Sequence, residues 1–212
     1  MTLVKICGIT NIEDARVAVA AGTDMVGFNF YRRSSRFIEP EQARSIIESL
    51  KSEVSRDVMM VGVFVDEAPE SLAQIAATSG IEAVQLHGDE SIEFCSTLKE
   101  LMPESFVIKV IHVGDDGSDR PTKYEVDAIM LDAFDENLRG GTGRTIDWNF
   151  ARRVRESVSR LILAGGLSPE NVGAAINEVR PYAVDVCSAL ESAPGKKDAG
   201  KVKAFVEAAH NA

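Results

Sequence analysis

Short, nearly continuous apolar runs alternate along the chain with longer stretches whose apolar residues recur every three to four positions. The apolar runs cover residues 4–9, 25–30, 59–65, 83–87, 106–112, 128–133, 161–164 and 184–187. Such runs, with apolar residues at both parities, are the pattern of strands buried on two faces. The intervening periods predict helices over 13–22, 39–50, 69–79, 91–101, 147–155, 168–179 and 199–209. Their ends carry matching signals: Asn11 and Asp147 as N-caps, Pro40, Pro69 and Pro169 in first turns, Gly22 and Gly80 as stops. Residues 113–125 break the alternation with two glycines, a proline and three aspartates, which predicts a loop or a single turn in place of a fifth helix.

Eight strands joined by helices imply parallel β/α units. Their recurrence at roughly 25-residue intervals fits an α/β fold of the single (β/α)8 TIM-barrel type, about 200–250 residues long. An open doubly wound sheet is the alternative, and at 212 residues it would usually hold fewer strands. A hydrophobic content of 45% is ample for one core, so residues 1–212 are read as one domain.

Strand parity sorts the polar residues. Lys5, Cys7, Asn29, Gln85, His87, Lys109, Asp132 and Asp185 are read as an inward set, unusual for strands that should be apolar throughout. Each has a plainer reading. A cysteine can be a small inert hydrophobe, as expected for Cys95 and Cys187. His87 can be a hydrogen-bonded core histidine, and Lys109 with Asp185 a structural ion pair. Convergence near the C-terminal ends of the strands, where barrel enzymes carry their sites, favours function.

Charge and composition narrow the partners. A net charge of −10 argues against nucleic acid. No run of about 18 apolar residues predicts a membrane span, and no signal-peptide pattern opens the chain, so a cytoplasmic protein is expected. Three cysteines without CxxC or metal-ligand spacing read as reduced thiols, with no metal and no cofactor expected.

Two segments read as a phosphate site. Gly165-Gly166 lies between the seventh strand and its helix, and Ser188-Ala189 follows the eighth strand, the habitual phosphate position of this fold. The alternative for the glycines is a tight turn. Gly140-Gly141-Thr142-Gly143 lacks the P-loop lysine and the GxGxxG spacing, and reads as a lid over substrate or as a linker. Arg36, in the loop after the second strand, can fork onto a carboxylate, or be solvated as Arg32 and Arg33 are expected to be.

Taken together, Lys5-Ile6-Cys7-Gly8-Ile9-Thr10, Gln85-Leu86-His87-Gly88, Leu131-Asp132, Gly140-Gly141-Thr142-Gly143 with Asp147-Trp148, Ala164-Gly165-Gly166-Leu167, Val184-Asp185-Val186 and Pro194-Gly195-Lys196-Lys197-Asp198 resemble the phosphoribosylanthranilate isomerase family, in family order over residues 4–198. The resemblance implies an Amadori rearrangement of N-(5'-phosphoribosyl)anthranilate in tryptophan biosynthesis, without metal or cofactor. It places the catalytic cysteine on Cys7, the catalytic aspartate on Asp132, the anthranilate-binding arginine on Arg36 and the phosphate glycines on Gly165 and Gly166. The expected substrate-binding set is Lys5, Arg36, Gln85, His87, Gly141, Gly143 and Asp185. The expected phosphate-binding set is Gly165, Gly166, Ser188 and Ala189. Asp132 would act as acid and Cys7 as base, opposite to the resting states of a free carboxyl and a free thiol at neutral pH. A cation such as Lys5 would lower the thiol's pKa.

Where the family reads Ser-Ser-Gly-Val-Glu, this chain reads Cys187-Ser188-Ala189-Leu190-Glu191. An alanine is costly there if the family glycine uses positive φ. Two rivals remain: a bifunctional sugar-phosphate isomerase that also serves histidine biosynthesis, and a barrel that binds a phosphorylated ligand without turnover. Oligomeric state is left between monomer and homodimer.

Overall fold

The structure is a computed structural model and describes residues 1–113, 123–133 and 146–212. Eight parallel strands close into a barrel: β1 (Leu3–Ile6), β2 (Met25–Asn29), β3 (Met59–Phe64), β4 (Ala83–Leu86), β5 (Phe106–Val113), β6 (Ala128–Ala133), β7 (Leu161–Leu163) and β8 (Ala183–Val186). Closure is made by β1 against β8, with Lys5 beside Asp185 and Ile6 beside Val186. The helices are α1 (Ile12–Ala21), α2 (Pro40–Glu53), α3 (Pro69–Ser79), α4 (Ile92–Leu101), α5 (Trp148–Arg155), α6 (Val172–Val179) and α7 (Ala199–His210). Among the described residues no α-helix stands between β5 and β6, as the composition there predicts. The segment 114–122 itself lies outside those residues.

Local signals set the helix ends. The Asn11 side chain accepts from the Asp14 amide at 2.8 Å, and Gly22 closes α1 at φ 104°. Ser91, Asp147 and Asp198 cap α4, α5 and α7 in the same way. The exception is α6. It begins at Val172 rather than at Ser168, because the Asn171 side chain accepts from the Ser168 amide and donates to the Gly166 carbonyl. That side-chain-closed turn replaces the expected first helical turn.

Strand alternation builds two cores. Val4, Ile6, Phe28, Phe64, Leu86, Leu131 and Val184 face the helices. Met25, Val61, Ala83, Ile108, Val110, Met130, Ile162 and Ala183 fill the barrel. Burying a side chain such as Phe28 contributes about 1.5–3 kcal/mol. On β5 the inward parity therefore belongs to Ile108, Val110 and His112, so Lys109 is not an inward residue. It lies on the helix side, buried, with Nζ 2.7 Å from Glu90 Oε2 and 2.7 Å from the Gly88 carbonyl. The alternative of a Lys109–Asp185 ion pair does not form either, since Asp185 pairs with Lys5 and Lys109 with Glu90.

One element has no counterpart in the sequence reading. After a 3-10 turn at Ser188–Leu190, β9 (Glu191–Ala193) and β10 (Lys196–Lys197) form a small antiparallel hairpin at the mouth. No helix among the described residues is long and apolar enough to cross a membrane.

Candidate active site

Cys7 follows the last residue of β1 and is 8% exposed. Two glycines make room for it. A Cβ on Gly27 of β2 would stand 2.8 Å from Cys7 Sγ. Gly8 turns at φ 75°, and a Cβ there would meet Arg36 and, at 2.8 Å, Cys187 Sγ. The two thiols are neighbours on the inward face, and the Cys187 thiol points to Glu191 Oε1 at 3.9 Å. Beneath Cys7 on the same face, Lys5 is fully buried, with Nζ 2.7 Å from Asp185 Oδ1. Lys197 Nζ reaches the site from β10, 3.1 Å from the Cys187 carbonyl, 3.7 Å from Cys187 Sγ and 3.1 Å from Glu191 Oε1. Arg36 forks onto Glu191, Nε to Oε1 at 2.8 Å and Nη2 to Oε2 at 2.7 Å.

Three cations, Lys5, Arg36 and Lys197, thus share this corner with two carboxylates, Asp185 and Glu191. The remaining positive charge is matched if Cys7 is a thiolate. The adjacent Cys187 thiol is the largest cause holding the Cys7 thiol well below its ordinary value, and the Lys5 and Lys197 charges add to it against the opposing effect of burial. Cys187 is pushed the other way, by the neighbouring Cys7 and by burial. Burial pulls Lys5 down, but Asp185 and Cys7 outweigh it and hold the ammonium above its usual value. Burial pushes Asp185 up to about 6 against the attraction of Lys5. Cys95 lies apart on α4, where burial pushes its thiol up to about 11.

Asp132 ends the inward face of β6, 8% exposed. Its Oδ2 lies 3.5 Å from His87 Nε2, at the end of β4. Gln85 Nε2 meets His87 Nδ1 at 2.9 Å, so the amide donates to Nδ1 and the ring proton sits on Nε2, facing Asp132. Gln85 Oε1 is buried without a hydrogen-bond partner among the described residues. His112 stacks edge-on against His87, ring centroids 5.0 Å apart, and its Nε2 is 3.2 Å from the His87 carbonyl. Burial is the main cause lowering the His112 pKa, with the neighbouring His87 adding to it. Donor atoms of His87, His112 and Asp132 lie within 4.8 Å of one another. A tetrahedral zinc ion needs its ligand atoms about 3.4 Å apart, so this trio would have to close to hold one.

Between the thiol on β1 and the carboxylate on β6 stand β7 and β8, and their half-buried loops carry backbone donors. Gly165 and Gly166 adopt φ 79° and 66°, conformations that favour glycine. A Cβ on Gly165 would also stand 2.5 Å from the Ala133 amide nitrogen and 2.9 Å from Asp132 Oδ1. Among the described residues the amides of Gly165, Gly166, Ser188 and Ala189 have no protein acceptor. Ala189 sits in the 3-10 turn and not at positive φ, so it carries none of the strain its replacement of glycine suggested.

The structure therefore gathers Lys5, Cys7, Arg36, Gln85, His87, Asp132, Gly165, Gly166, Asp185, Ser188 and Ala189 at the C-terminal mouth. Gly141 and Gly143 lie outside the described residues, and Asn29 turns its Oδ1 to the Tyr31 amide at 2.9 Å. Sequence reasoning missed four neighbours. His112 shares the parity of Ile108 and Val110 and could have been found by counting on two positions. Gly27 faces inward beside Lys5's partner Met25. Glu191 and Lys197 belong to a hairpin too short to leave a periodic signal.

A closed parallel barrel with a buried, cation-flanked thiol at the C-terminal ends of its strands defines a (β/α)8-barrel enzyme. The family model for N-(5'-phosphoribosyl)anthranilate (PRA) isomerase matches residues 4–208. The chain belongs to that isomerase family. It is 44% identical over 212 residues to the N-(5'-phosphoribosyl)anthranilate isomerase of Trichlorobacter lovleyi, covering all of both chains. It is 45% identical over 208 residues to that of Thermotoga maritima, covering 98% of each. The crystal structure of the Thermotoga maritima phosphoribosyl anthranilate isomerase superposes with a TM-score of 0.89 at 43% identity over the whole of both chains. That enzyme in complex with reduced 1-(o-carboxyphenylamino)-1-deoxyribulose 5-phosphate gives 0.86 at 43% identity, again over the whole of both chains.

Proposed function

We infer that this barrel converts N-(5'-phosphoribosyl)anthranilate to 1-(o-carboxyphenylamino)-1-deoxyribulose 5-phosphate by an Amadori rearrangement, a step of tryptophan biosynthesis. The observation that carries the chemistry is the thiol of Cys7 held among Lys5, Lys197 and Arg36, with Asp132 three strands away. Asp132 protonates the furanose oxygen and opens the ring to a Schiff base. The Cys7 thiolate then removes the C2' proton, and the resulting enolamine tautomerises to the ketone. His87, oriented by Gln85, presents its Nε2–H to the Asp132 carboxylate as the proton leaves.

The substrate's ends are held on either side. The four amides and the Ser188 hydroxyl in the loops after β7 and β8 receive the phosphate. Lying between acid and base, they fix how deep the ribose sits. Arg36 holds the anthranilate carboxylate. Because Glu191 already occupies Nε and one edge of Nη2, the substrate meets Nη1 and the outer edge. The partner is a small molecule, and the enzyme works as a monomer or homodimer; a relative from Thermotoga maritima is described as dimeric.

Turnover of phosphoribosylanthranilate, followed by loss of anthranilate-type fluorescence, tests the reading. Cys7→Ser and Asp132→Asn should each lower kcat at least about a hundredfold in folded protein, the scale of losing a general base or acid. Near-normal turnover in either would remove that residue from the mechanism. The non-catalytic alternative predicts binding of the reduced product analogue with no fluorescence change on adding substrate.

A further inference from the structure

Cys187 was expected to be inert packing, and the reaction uses only one thiol. Yet Cys187 is the other thiol of the site. The register that sets Lys5 beside Asp185 and Ile6 beside Val186 brings Cys7 alongside Cys187, and the Cys7 amide bonds the Val186 carbonyl at 2.9 Å. Neighbouring strands run about 4.8 Å apart, inside the Cα separation of about 4.4–6.8 Å that a disulfide spans. The two side chains lie beside each other, since a Cβ on Gly8, the residue after Cys7, would stand 2.8 Å from Cys187 Sγ, and both strands leave extended conformation just there, Cys187 at φ −132° and ψ −83° and Gly8 at φ 75°. Neither sulfur is therefore held apart by sheet geometry.

We propose that Cys7 and Cys187 form a peroxide-driven dithiol–disulfide switch that reversibly shuts the active site. The sulfur of Cys7 attacks one oxygen of a hydroperoxide, the O–O bond breaks, and the alcohol or water that leaves carries off a proton. Cys7 becomes a sulfenic acid. The Cys187 sulfur then attacks the Cys7 sulfur, the S–O bond breaks, and water departs with the Cys187 proton. Two thiols and one hydroperoxide thus give one disulfide, one water and one alcohol or water. A dithiol reductant returns both thiols by exchange. The ammoniums of Lys5 and Lys197 favour the first attack, since the thiolate is the nucleophile. Cys187 makes the outcome reversible, because a sulfenic acid without a resolving thiol proceeds to the sulfinic acid.

The whole protein is treated with hydrogen peroxide, quenched, digested without reduction and weighed by mass spectrometry. The expected product is a peptide pair joined through Cys7 and Cys187, two hydrogens lighter than its parts. This mass is read without turnover, so it stands or falls separately from the isomerase reading on which the loss of activity rests. Activity should fall at least about a hundredfold, as for loss of the base, and return with dithiothreitol. In Cys187→Ser, measured against its own untreated activity, peroxide should give sulfinic Cys7 and an inactivation that dithiothreitol does not reverse. Sulfinic Cys7 without a linked pair in the wild type would overturn the proposal. So would full recovery of peroxide-treated Cys187→Ser.

Discussion

Arg36 and Glu191 meet in a two-point fork, Nε to Oε1 at 2.8 Å and Nη2 to Oε2 at 2.7 Å, across the mouth of the barrel. The arginine stands in the loop after β2 and the glutamate opens the hairpin after β8, 155 positions later. Planar two-point pairing fixes the guanidinium far better than a single contact would. Burial disfavours the ionised glutamate, but Arg36 and Lys197 outweigh it and hold Glu191 below its usual value. Arg36→Met should therefore raise KM with little change in kcat, since Arg36 takes no part in the proton transfers. Steady-state kinetics that leave KM unchanged would show that the anthranilate carboxylate is held elsewhere.

Lys197 is predicted to contribute to the reactivity of Cys7, alongside Cys187 and Lys5. In the wild type, iodoacetamide at pH 7 should modify Cys7 first, with Cys95 unreactive until the chain unfolds, because burial pushes Cys95 up to about 11. In Lys197→Met the Cys7 rate at pH 7 should drop and then climb with pH toward the behaviour of a free thiol near about 8.5. Peptide-resolved alkylation rates from pH 6 to 9 read this directly. Identical profiles in the two proteins would remove Lys197 from the control of the thiol.

Asp185 should leave a signature in the pH dependence of stability. Its folded pKa, about 6, lies above its ordinary 3.8, so folding favours the protonated form. The folded state then binds more protons than the unfolded state between these values. Stability falls as pH rises through that window and levels off above it. In Asp185→Asn this slope is absent, so the gap between wild type and variant should widen in the wild type's favour on acidification from pH 7 to 5. Urea melts at several pH values measure the gap, and a constant gap would contradict the assignment.

Gly165→Ala should damage fold and catalysis together. Positive φ costs a non-glycine residue of order 1–3 kcal/mol. The new methyl would also press on the Ala133 amide and on Asp132 Oδ1. We expect a lower midpoint in urea and a fall in kcat, while Ala189→Gly, at an unstrained position, should leave KM within about threefold. A normal kcat in Gly165→Ala would separate this turn from the placement of Asp132.

Lys109 offers the contrast between a buried ion pair that carries structure and one that carries chemistry. Lys109→Met strands Glu90, whose carboxylate also accepts from the Gly88 and Asp66 amides, and should cost about 3–5 kcal/mol of stability. The protein that remains folded should keep the alkylation profile of Cys7, because Lys109 lies on the helix side of β5. A shift in that profile would place Lys109 in the site after all.

The chain by itself determined most of the architecture. Its eight apolar runs, capped helices and helix-poor 113–125 segment are local signals, and local signals survive without tertiary context. Parity likewise placed Lys5, Cys7, His87 and Asp132 on one face, because alternation is a property of the strand alone. On β5, however, the polar residue and the inward parity do not coincide. Polarity suggested Lys109 faced inward, whereas the barrel core takes Ile108 and Val110 and leaves His112 at the mouth. The choice between Lys5 and Lys109 as partner of Asp185 was not legible either. It depends on β1 closing the barrel against β8, a contact between residues 180 positions apart. The same holds for Glu191 with Arg36 and for Cys187 with Cys7. Charge pairing and thiol chemistry act over a few ångströms, and only closure of the barrel brings residues from the two ends of the chain within that reach.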